Sequence, residues 1–319
     1  MTPTLLIITD REDFAADYLI VRLRELGREY YRLNVDQLFE STATFRVGGH
    51  EPTKRTVSCG GVSVDLRSVR SVWYRRALRP SPPPTLHPEF RRFGAAEVRH
   101  LFEGLVCHPE VCWVNPIAAT EIAERKVYQL QLAGQHGLRV PATLVSTNRE
   151  ELEQFASLHC AVIGKPVSYG LVTSSQGQAY ALHTHEVTRA QLTELDNLGG
   201  VPVLLQERVQ KGTDVRVTII GEAIYSVEII TPADAPVDWR ATPEGLRYQR
   251  CELPPAIEAA CRSLMSALDL AYGAFDFIRT ENADWYFLEV NPAGEWAWLD
   301  VALGLPMRDS FVELFYGKS

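Results

Sequence analysis

Residues 273–294 read GAFDFIRTENADWYFLEVNPAG, two strongly apolar runs separated by the polar tetrad ENAD. This pattern predicts a β-hairpin. Folding the stretch about the centre of the tetrad sets Asp276 opposite Glu289. Because side chains alternate along a strand, Asn291 shares the face of Glu289, and Leu288 points to the other face. Two carboxylates that face each other across a sheet repel, so the hairpin should hold a positive charge.

A divalent cation would relieve this repulsion. Asp276, Glu289 and Asn291 place three oxygen-bearing side chains on one face of an otherwise apolar hairpin. Magnesium prefers carboxylate and amide oxygens and keeps positions for waters and phosphate oxygens. The alternative is an exposed sheet face with solvated acids, which the long apolar runs and the Pro-Ala-Gly after Asn291 argue against. The sequence therefore predicts a Mg²⁺ site.

Composition limits the class of protein. The chain has 319 residues, of which 46% are hydrophobic and 23% charged, as in a globular protein of two or three domains. A net charge of −8 gives no whole-chain attraction to nucleic acid or to an anionic membrane, so neither is expected as a partner. The first ten residues lack the basic segment of a signal peptide, and no apolar stretch has the length of a membrane span.

The six cysteines are scattered along the chain, which predicts reduced thiols in the cytoplasm. Cys107, His108 and Cys112, with His100 upstream, have a spacing that loosely permits zinc. The alternative is a helix end that runs into the buried strand VCWV at 111–114, and we favour that interpretation.

The first third of the chain alternates strand and helix, which predicts an α/β domain over residues 1–115. No glycine-rich phosphate loop follows the first strand, so a dinucleotide site is not expected there. Residues 77–88 contain five prolines and predict a stiff surface loop. Single helices are predicted at about 89–106 and 118–136, and together they offer a surface for a homodimer.

The remainder predicts an α+β region in two lobes, residues 116–205 and 206–319, with a short helix at the C-terminus. Lys165 ends an apolar strand before a Gly/Ser-rich loop whose backbone amides suit a phosphate group. Arg216 lies on the polar face of a strand, where it suits a transferring phosphoryl group. An ion pair between strands is the alternative for Arg216, and Lys126 alone reads as an ordinary surface lysine.

This set of residues resembles the ATP-grasp ligases over residues 116–319, and the opening domain fits their pre-ATP-grasp domain. The resemblance lies in Lys126, Lys165, LLQERV at 204–209, DVRV at 214–217, DF at 276–277 and FLEVNPAG at 287–294.

A narrower resemblance covers nearly the whole chain. SVWYRR at 71–76, the run at 113–148, DWR at 238–240 and NPAGEWAWL at 291–299 are similar to the microviridin-type peptide maturases, the graspetide synthetases. Glu295 departs from this pattern, since glutamine is expected there.

The resemblance implies ATP between the two lobes and one or two Mg²⁺ ions. It implies a role for each of several side chains. They are Gln206, Glu207, Arg208, Val209 and Asp214 for the nucleoside, Lys126 and Lys165 for the phosphates, Asp276, Glu289 and Asn291 for the metal, and Arg216 and Arg240 for catalysis.

The resemblance also implies a substrate, a ribosomal precursor peptide with a leader segment and an acidic core. A peptide carboxylate attacks the γ-phosphate, and a Ser/Thr hydroxyl or a Lys amine then displaces phosphate to form an ester or amide. An acidic substrate needs a basic lining, for which Arg75, Arg76, Arg79 and Arg240 are candidates. The alternative for the run at 75–79 is a solvated loop. The leader would dock as a helix in a groove.

Other functions stay open at this point. Another carboxylate–amine ligase, acting on a protein tail or on small molecules, would share every ATP-binding residue. A nucleotide-binding module without catalysis is a second alternative, although the complete set of metal ligands and cations disfavours it. A plain α/β binding domain would leave the facing carboxylates unexplained.

Overall fold

The structure, a computed structural model, describes residues 4–50, 52–107, 111–168, 170–174, 178–194, 199–232, 237–241 and 244–317. Contacts divide the chain into two compact units. The first unit comprises residues 1–117, 220–223 and 295–319, and the second comprises residues 118–219 and 224–294.

The chain begins with alternating strands and helices. They are β1 (Thr4–Thr9), α1 (Phe14–Glu25), β2 (Tyr30–Asn34), β3 (Thr42–Arg46), β4 (Lys54–Cys59), β5 (Val62–Asp65), β6 (Val69–Tyr74), α2 (Pro88–Val106) and β7 (Cys112–Val114). Four strands form a parallel sheet in the order β2-β1-β6-β7. The other three form an antiparallel sheet in the order β3-β4-β5. The proline-rich segment before α2 has no helix or strand, as predicted.

Buried apolar residues explain the position of this parallel sheet. Leu5 to Ile8 are all buried, as expected of a strand that is covered on both faces. Phe102 and Leu105 of α2 belong to the same core cluster as Val72 of β6. Asp13 fixes the start of α1, because its Oδ1 accepts a hydrogen bond from the Ala16 amide at 3.1 Å.

The second region has more strands and shorter helices. They are α3 (Ile117–Ala123), α4 (Lys126–Gln135), β8 (Thr143–Ser146), α5 (Arg149–Leu158), β9 (Val162–Lys165), β10 (Leu171–Thr173), β11 (Ala179–Ala181), β12 (His185–Glu186), α6 (Arg189–Thr193), β13 (Val203–Glu207), β14 (Thr213–Ile220), β15 (Ala223–Ile230), β16 (Arg247–Arg250), α7 (Pro255–Ala267), β17 (Tyr272–Arg279) and β18 (Trp285–Asn291). Three sheets result, with the orders β12-β9-β13-β8, β16-β15-β14-β17-β18 and β10-β11. The mixed α/β and α+β class predicted from the sequence is confirmed.

The prediction of one helix at 118–136 was wrong, because α3 and α4 are separate helices. Arg125 between them has an extended conformation, so Lys126 is the first residue of α4. The break leaves the Ala123 carbonyl without a helical partner, and the buried Gln129 side chain donates to it at 2.7 Å. A tertiary hydrogen bond therefore stabilises a break that helical periodicity does not indicate.

The Gly/Ser-rich segment after β9 was predicted as a loop, but β10 lies within it. Residues 169 and 175–177 of that segment lie outside the described residues. The Leu182 amide donates to the Gly170 carbonyl at 2.6 Å. A Cβ at position 170 would lie 2.4 Å from the Leu182 oxygen, so this close approach requires glycine.

The predicted single C-terminal helix is also two helices, α8 (Ala297–Leu303) and α9 (Met307–Tyr316). Gly304 ends α8 in the left-handed conformation, with φ of 59°. Helix α9 packs in the first unit, where the rings of Phe311 and Trp73 lie 5.2 Å apart. None of the described helices combines the length and the apolar character that a membrane span requires.

Candidate active site

A cavity of about 830 Å³ lies within the second unit. Its walls come from the ends of β9 and β13, the segment after β13, the turn at 238–240 and the β17–β18 hairpin. Eight of the predicted site residues line it. They are Lys165, Gln206, Glu207, Arg208, Val209, Asp214, Arg240 and Asp276.

The β17–β18 hairpin has the predicted pairing, with Asp276 opposite Glu289. A β-bulge follows, because Phe277 pairs with Phe287 and Leu288 is the extra residue. Leu288 therefore lines the cavity, and its predicted place on the opposite face of the hairpin was wrong. In a regular strand, residues three apart point to opposite faces. The bulge allows both Phe287 and Val290 to lie in the core.

Two arginines supply the positive charge that the facing carboxylates need. Arg240 Nη2 donates to Asp276 Oδ2 at 2.5 Å and lies 3.6 Å from Glu289 Oε1. Arg216 Nε lies 3.2 Å from Asp276 Oδ1, so the ion pair between strands, left open by the sequence, is present. Asp276 is buried, and without these cations its charge would be costly.

A short turn, Trp239–Ala241, carries Arg240. The Arg240 amide donates to Asp238 Oδ1 at 3.1 Å, and Arg240 Nη1 lies 3.5 Å from the same oxygen. The guanidinium carbon lies 4.9 Å from the Trp239 ring centroid. The attraction of Asp276 raises the pKa of Arg240, against the opposing effect of burial. Arg240 therefore keeps its positive charge in this cavity.

Two lysines lie near the same carboxylates. Lys126 Nζ donates to the Pro166 carbonyl at 2.9 Å and lies 3.9 Å from Glu289 Oε2. Burial lowers the pKa of Lys165 to about 8, although the charge of Glu289 opposes the shift. A lysine that has lost water contacts at a cavity wall suits an anionic ligand such as phosphate, which would restore the stability of its charged form.

Comparison with known proteins shows which proteins the chain is similar to. Residues 4–121 match the family described as the MvdD pre-ATP grasp domain. The macrocyclase MdnC from Microcystis aeruginosa MRC, bound with precursor peptide MdnA, is 29% identical with a TM-score of 0.86 over 98% of both chains. The chain therefore has the fold of the ATP-grasp ligases, with a pre-ATP-grasp domain at its start.

Other structures extend this result. A RiPP-associated ATP-grasp ligase from Chryseobacterium gregarium, in complex with ADP and a leader and core peptide, is 26% identical with a TM-score of 0.90, over 100% of this chain and 98% of that one. D-alanyl-alanine synthetase A from Vibrio cholerae is 14% identical with a TM-score of 0.64, over 98% and 97% of the two chains, which shows the fold alone. No curated protein matches.

The segment predicted to meet the nucleoside follows a central strand. β13 pairs with both β8 and β9, which fixes its end at the cavity. Gln206 is buried, and its Nε2 donates to Thr143 Oγ1 at 2.8 Å. Glu207 Oε2 accepts from the Ala142 amide at 3.4 Å. Arg208 pairs with Glu186 at 3.0 Å, and Val209 lines the cavity.

Lys211 is a cavity residue that the sequence reasoning missed. Its Nζ lies 2.9 Å from Asp214 Oδ2, and both side chains line the cavity. Burial raises the pKa of Asp214, and the Lys211 charge opposes this shift. The lysine therefore helps to keep the aspartate ionised. The only signal in the sequence is a lysine three residues before an aspartate.

The ATP-grasp metal site predicted from the sequence combines two carboxylates and one amide. Asp276 and Glu289 face each other beside the cavity, and Asn291 Oδ1 accepts from the Ala293 amide at 3.0 Å. Across the described part of the chain, no group of three or more His, Cys, Asp or Glu side chains is placed to hold a metal ion. The donor set still fits Mg²⁺, which takes one or two carboxylates together with substrate phosphates.

The zinc alternative falls partly outside the described residues, because His108 is not described. Cys107 and Cys112 are both exposed.

Three of the four arginines predicted to line a peptide site, Arg75, Arg76 and Arg79, belong to the first unit, and each has a different environment. Arg75 is buried, its Nε pairing with Asp13 Oδ2 at 3.0 Å and its Nη2 with Glu295 Oε1 at 2.9 Å. Arg76 is half-buried, with Nη2 2.8 Å from the same Glu295 oxygen, and Arg79 is exposed. These contacts account for Arg75 without a substrate, and they exclude a solvated loop at that position.

Proposed function

We propose that this chain is an ATP-dependent macrocyclase of a ribosomally made precursor peptide. It joins Asp and Glu side chains of the peptide to Ser or Thr hydroxyls, as esters, or to Lys amines, as amides. The observation that carries the proposal is the facing pair Asp276 and Glu289, which contacts Arg216 and Arg240 beside the cavity that Lys165, Arg240 and Asp276 line.

The similar proteins support this class of substrate. MdnC was solved with a precursor peptide, and the Chryseobacterium ligase was solved with ADP and a leader and core peptide. Both likenesses extend over almost the whole chain, so they include the peptide-handling parts of those proteins as well as the nucleotide site. The partner we propose is therefore a precursor with a leader segment and an acidic core, and the proposed location is the cytoplasm, where ATP is available.

ATP would lie in the cavity of the second unit. Gln206, Glu207, Arg208 and Val209 would meet the adenine, and Asp214 would accept a hydrogen bond from the nucleoside. Lys126 and Lys165 would contact the phosphates. Asp276, Glu289 and Asn291 would hold one or two Mg²⁺ ions, which would reduce the negative charge of the phosphates.

The reaction needs two displacements. A peptide carboxylate attacks the γ-phosphorus of ATP, and the bond from this phosphorus to the oxygen of the β-phosphate breaks. ADP departs, and the peptide carboxylate has become an acyl phosphate. A hydroxyl or amine then attacks the acyl carbon, loses its proton and expels phosphate, so the peptide loses one water overall. Arg216 and Arg240 would stabilise negative charge on the transferring group and on the tetrahedral intermediate. Binding both reacting groups of the peptide in one cavity supplies the rest of the rate acceleration, because it brings them together in the right orientation.

The test is mass spectrometry of a short, acid-rich peptide encoded next to this gene, incubated with the protein, ATP and Mg²⁺. Loss of one or more waters is expected with the intact protein and not with the Asp276→Ala/Glu289→Ala variant. Glu281→Ala, at the exposed tip of the same hairpin, is the matched control and should keep activity.

Two other outcomes would point elsewhere. An unchanged peptide mass with ATP still consumed indicates a ligase for another acceptor. Nucleotide binding without turnover and without mass change indicates a non-catalytic nucleotide-binding module.

A further inference from the structure

We propose that Arg240 is an exchangeable counter-ion of the Asp276–Glu289 pair. It neutralises the two carboxylates in the metal-free protein and leaves them when a divalent cation binds. The inference rests on the proposed function only for the identity of the metal site.

The carboxylate of Asp276 has an arginine on each oxygen. Arg240 Nη2 is on Oδ2 at 2.5 Å, and Arg216 Nε is 3.2 Å from Oδ1. The same Arg240 nitrogen lies 3.6 Å from Glu289 Oε1, so one guanidinium group bridges both acids. Mg²⁺ needs carboxylate lone pairs at about 2.1 Å. A metal that binds both acids therefore competes directly with the bridging guanidinium.

Arg240 is the arginine that is able to move. Its side chain is 39% exposed, whereas the Arg216 side chain is 5% exposed. Arg216 lies in β14, between β15 and β17 of the five-stranded sheet, and its Nη1 also approaches the Ala274 carbonyl at 3.5 Å. Moving Arg216 would disturb a sheet interior. Moving Arg240 requires only side-chain rotation above a three-residue turn.

A second set of contacts is available to Arg240 after it leaves Asp276. Asp238 already accepts from the Arg240 amide, and its Oδ1 lies 3.5 Å from Nη1. The Trp239 ring lies beside the guanidinium. The released group therefore keeps an anion and an aromatic face, and it stays at the cavity. There it is available to a carboxylate of an acidic peptide.

The experiment is a Mn²⁺ titration of the nucleotide-free full chain, with free Mn²⁺ followed by electron paramagnetic resonance. Removing the competing cation in Arg240→Gln should raise Mn²⁺ affinity by about tenfold. Arg240→Lys keeps the charge on a smaller head group and should bind with intermediate affinity. Arg139→Gln is the matched control, because Arg139 pairs with Asp284 at the tip of the same hairpin, and it should bind like the original protein.

Equal Mn²⁺ affinity of Arg240→Gln and the unsubstituted chain would overturn the inference, as would the absence of Mn²⁺ binding by both. Circular dichroism checks that each variant is folded, and if Arg240→Gln is not, the comparison of Arg240→Lys with the unsubstituted chain decides. The titration contains neither peptide nor ATP, so its result is independent of the mass-spectrometric test of the proposed function. If the peptide is not cyclised, a measured difference in Mn²⁺ affinity between the variants would still support the role of Arg240.

Discussion

Gln129 hydrogen-bonds both backbone groups of Val290. Its Nε2 donates to the Val290 carbonyl at 2.7 Å, and its Oε1 accepts from the Val290 amide at 2.9 Å. The same Nε2 donates to Ala123 at the end of α3. One buried side chain therefore covers the open edge of β18 beside Glu289 and also satisfies a helix end.

Gln129→Leu should destabilise the chain by about 2–5 kcal/mol, because an unsatisfied buried backbone group costs about 1–3 kcal/mol. The free energy of unfolding, measured in urea, checks this. Gln135→Leu, at the other end of α4 and exposed, is the control. Equal losses in the two variants would contradict a special role for Gln129.

The sequence predicts the hairpin well because the information is local. Apolar runs on both sides of a polar tetrad predict the hairpin, and folding about the centre of the tetrad sets Asp276 opposite Glu289. The bulge at Leu288 could not be predicted, since one extra residue leaves the apolar composition unchanged. The break before Lys126 depends on Gln129, whose partners lie far along the chain.

The contacts of loop residues in the site also could not be predicted from the local sequence. Arg240 was a candidate from its motif, but no periodic pattern in a loop shows that its guanidinium reaches Asp276. Lys211 carries no signal beyond its spacing from Asp214. The sequence therefore indicates which residue types are present at the site, and tertiary structure decides which of them form pairs.

Arg75 should stabilise the folded state of the chain. The buried Arg75–Asp13 pair leaves an uncompensated carboxylate when Arg75 is removed, so Arg75→Met should cost about 3–5 kcal/mol. Thermal unfolding checks this, with Arg79→Met, an exposed position, as the control. A normal melting temperature together with weakened peptide binding would instead favour the substrate contact predicted from the sequence.

The same pair gives a pH dependence. Burial raises the pKa of Asp13, but the charge and hydrogen bond of Arg75, together with Thr9 and Arg76, outweigh it and lower the pKa to about 2, below its ordinary value of 3.8. A lowered carboxyl pKa contributes stability above pH 3.8 that is lost as the pH falls toward 2. As the pH is lowered from about 5 to 2, the melting temperature of Arg75→Met should therefore fall less than that of the unsubstituted chain.

Lys165 should make nucleotide binding sensitive to alkaline pH. Burial lowers its pKa to about 8, and phosphate requires the charged form. ADP affinity should fall as the pH rises through 8, by up to about tenfold per pH unit. Lys165→Arg stays charged and should remove this dependence. Calorimetric titration at several pH values checks the prediction, and identical profiles for the two proteins would exclude Lys165 as the titrating group.

Lys211 should protect Asp214 from protonation. Burial raises the pKa of Asp214, and Lys211, 2.9 Å away, opposes that shift. Lys211→Met should raise the pKa of Asp214 further, so that the carboxylate is lost at a higher pH. Asp214 is proposed to accept a hydrogen bond from the nucleoside, and an ionised carboxylate accepts more strongly than a protonated one. ADP affinity of Lys211→Met should therefore decline on acidification earlier than that of the unsubstituted chain, with Lys211→Arg behaving normally. If Lys211→Met shows the same acid profile but uniformly weaker binding, the lysine contacts the nucleotide itself.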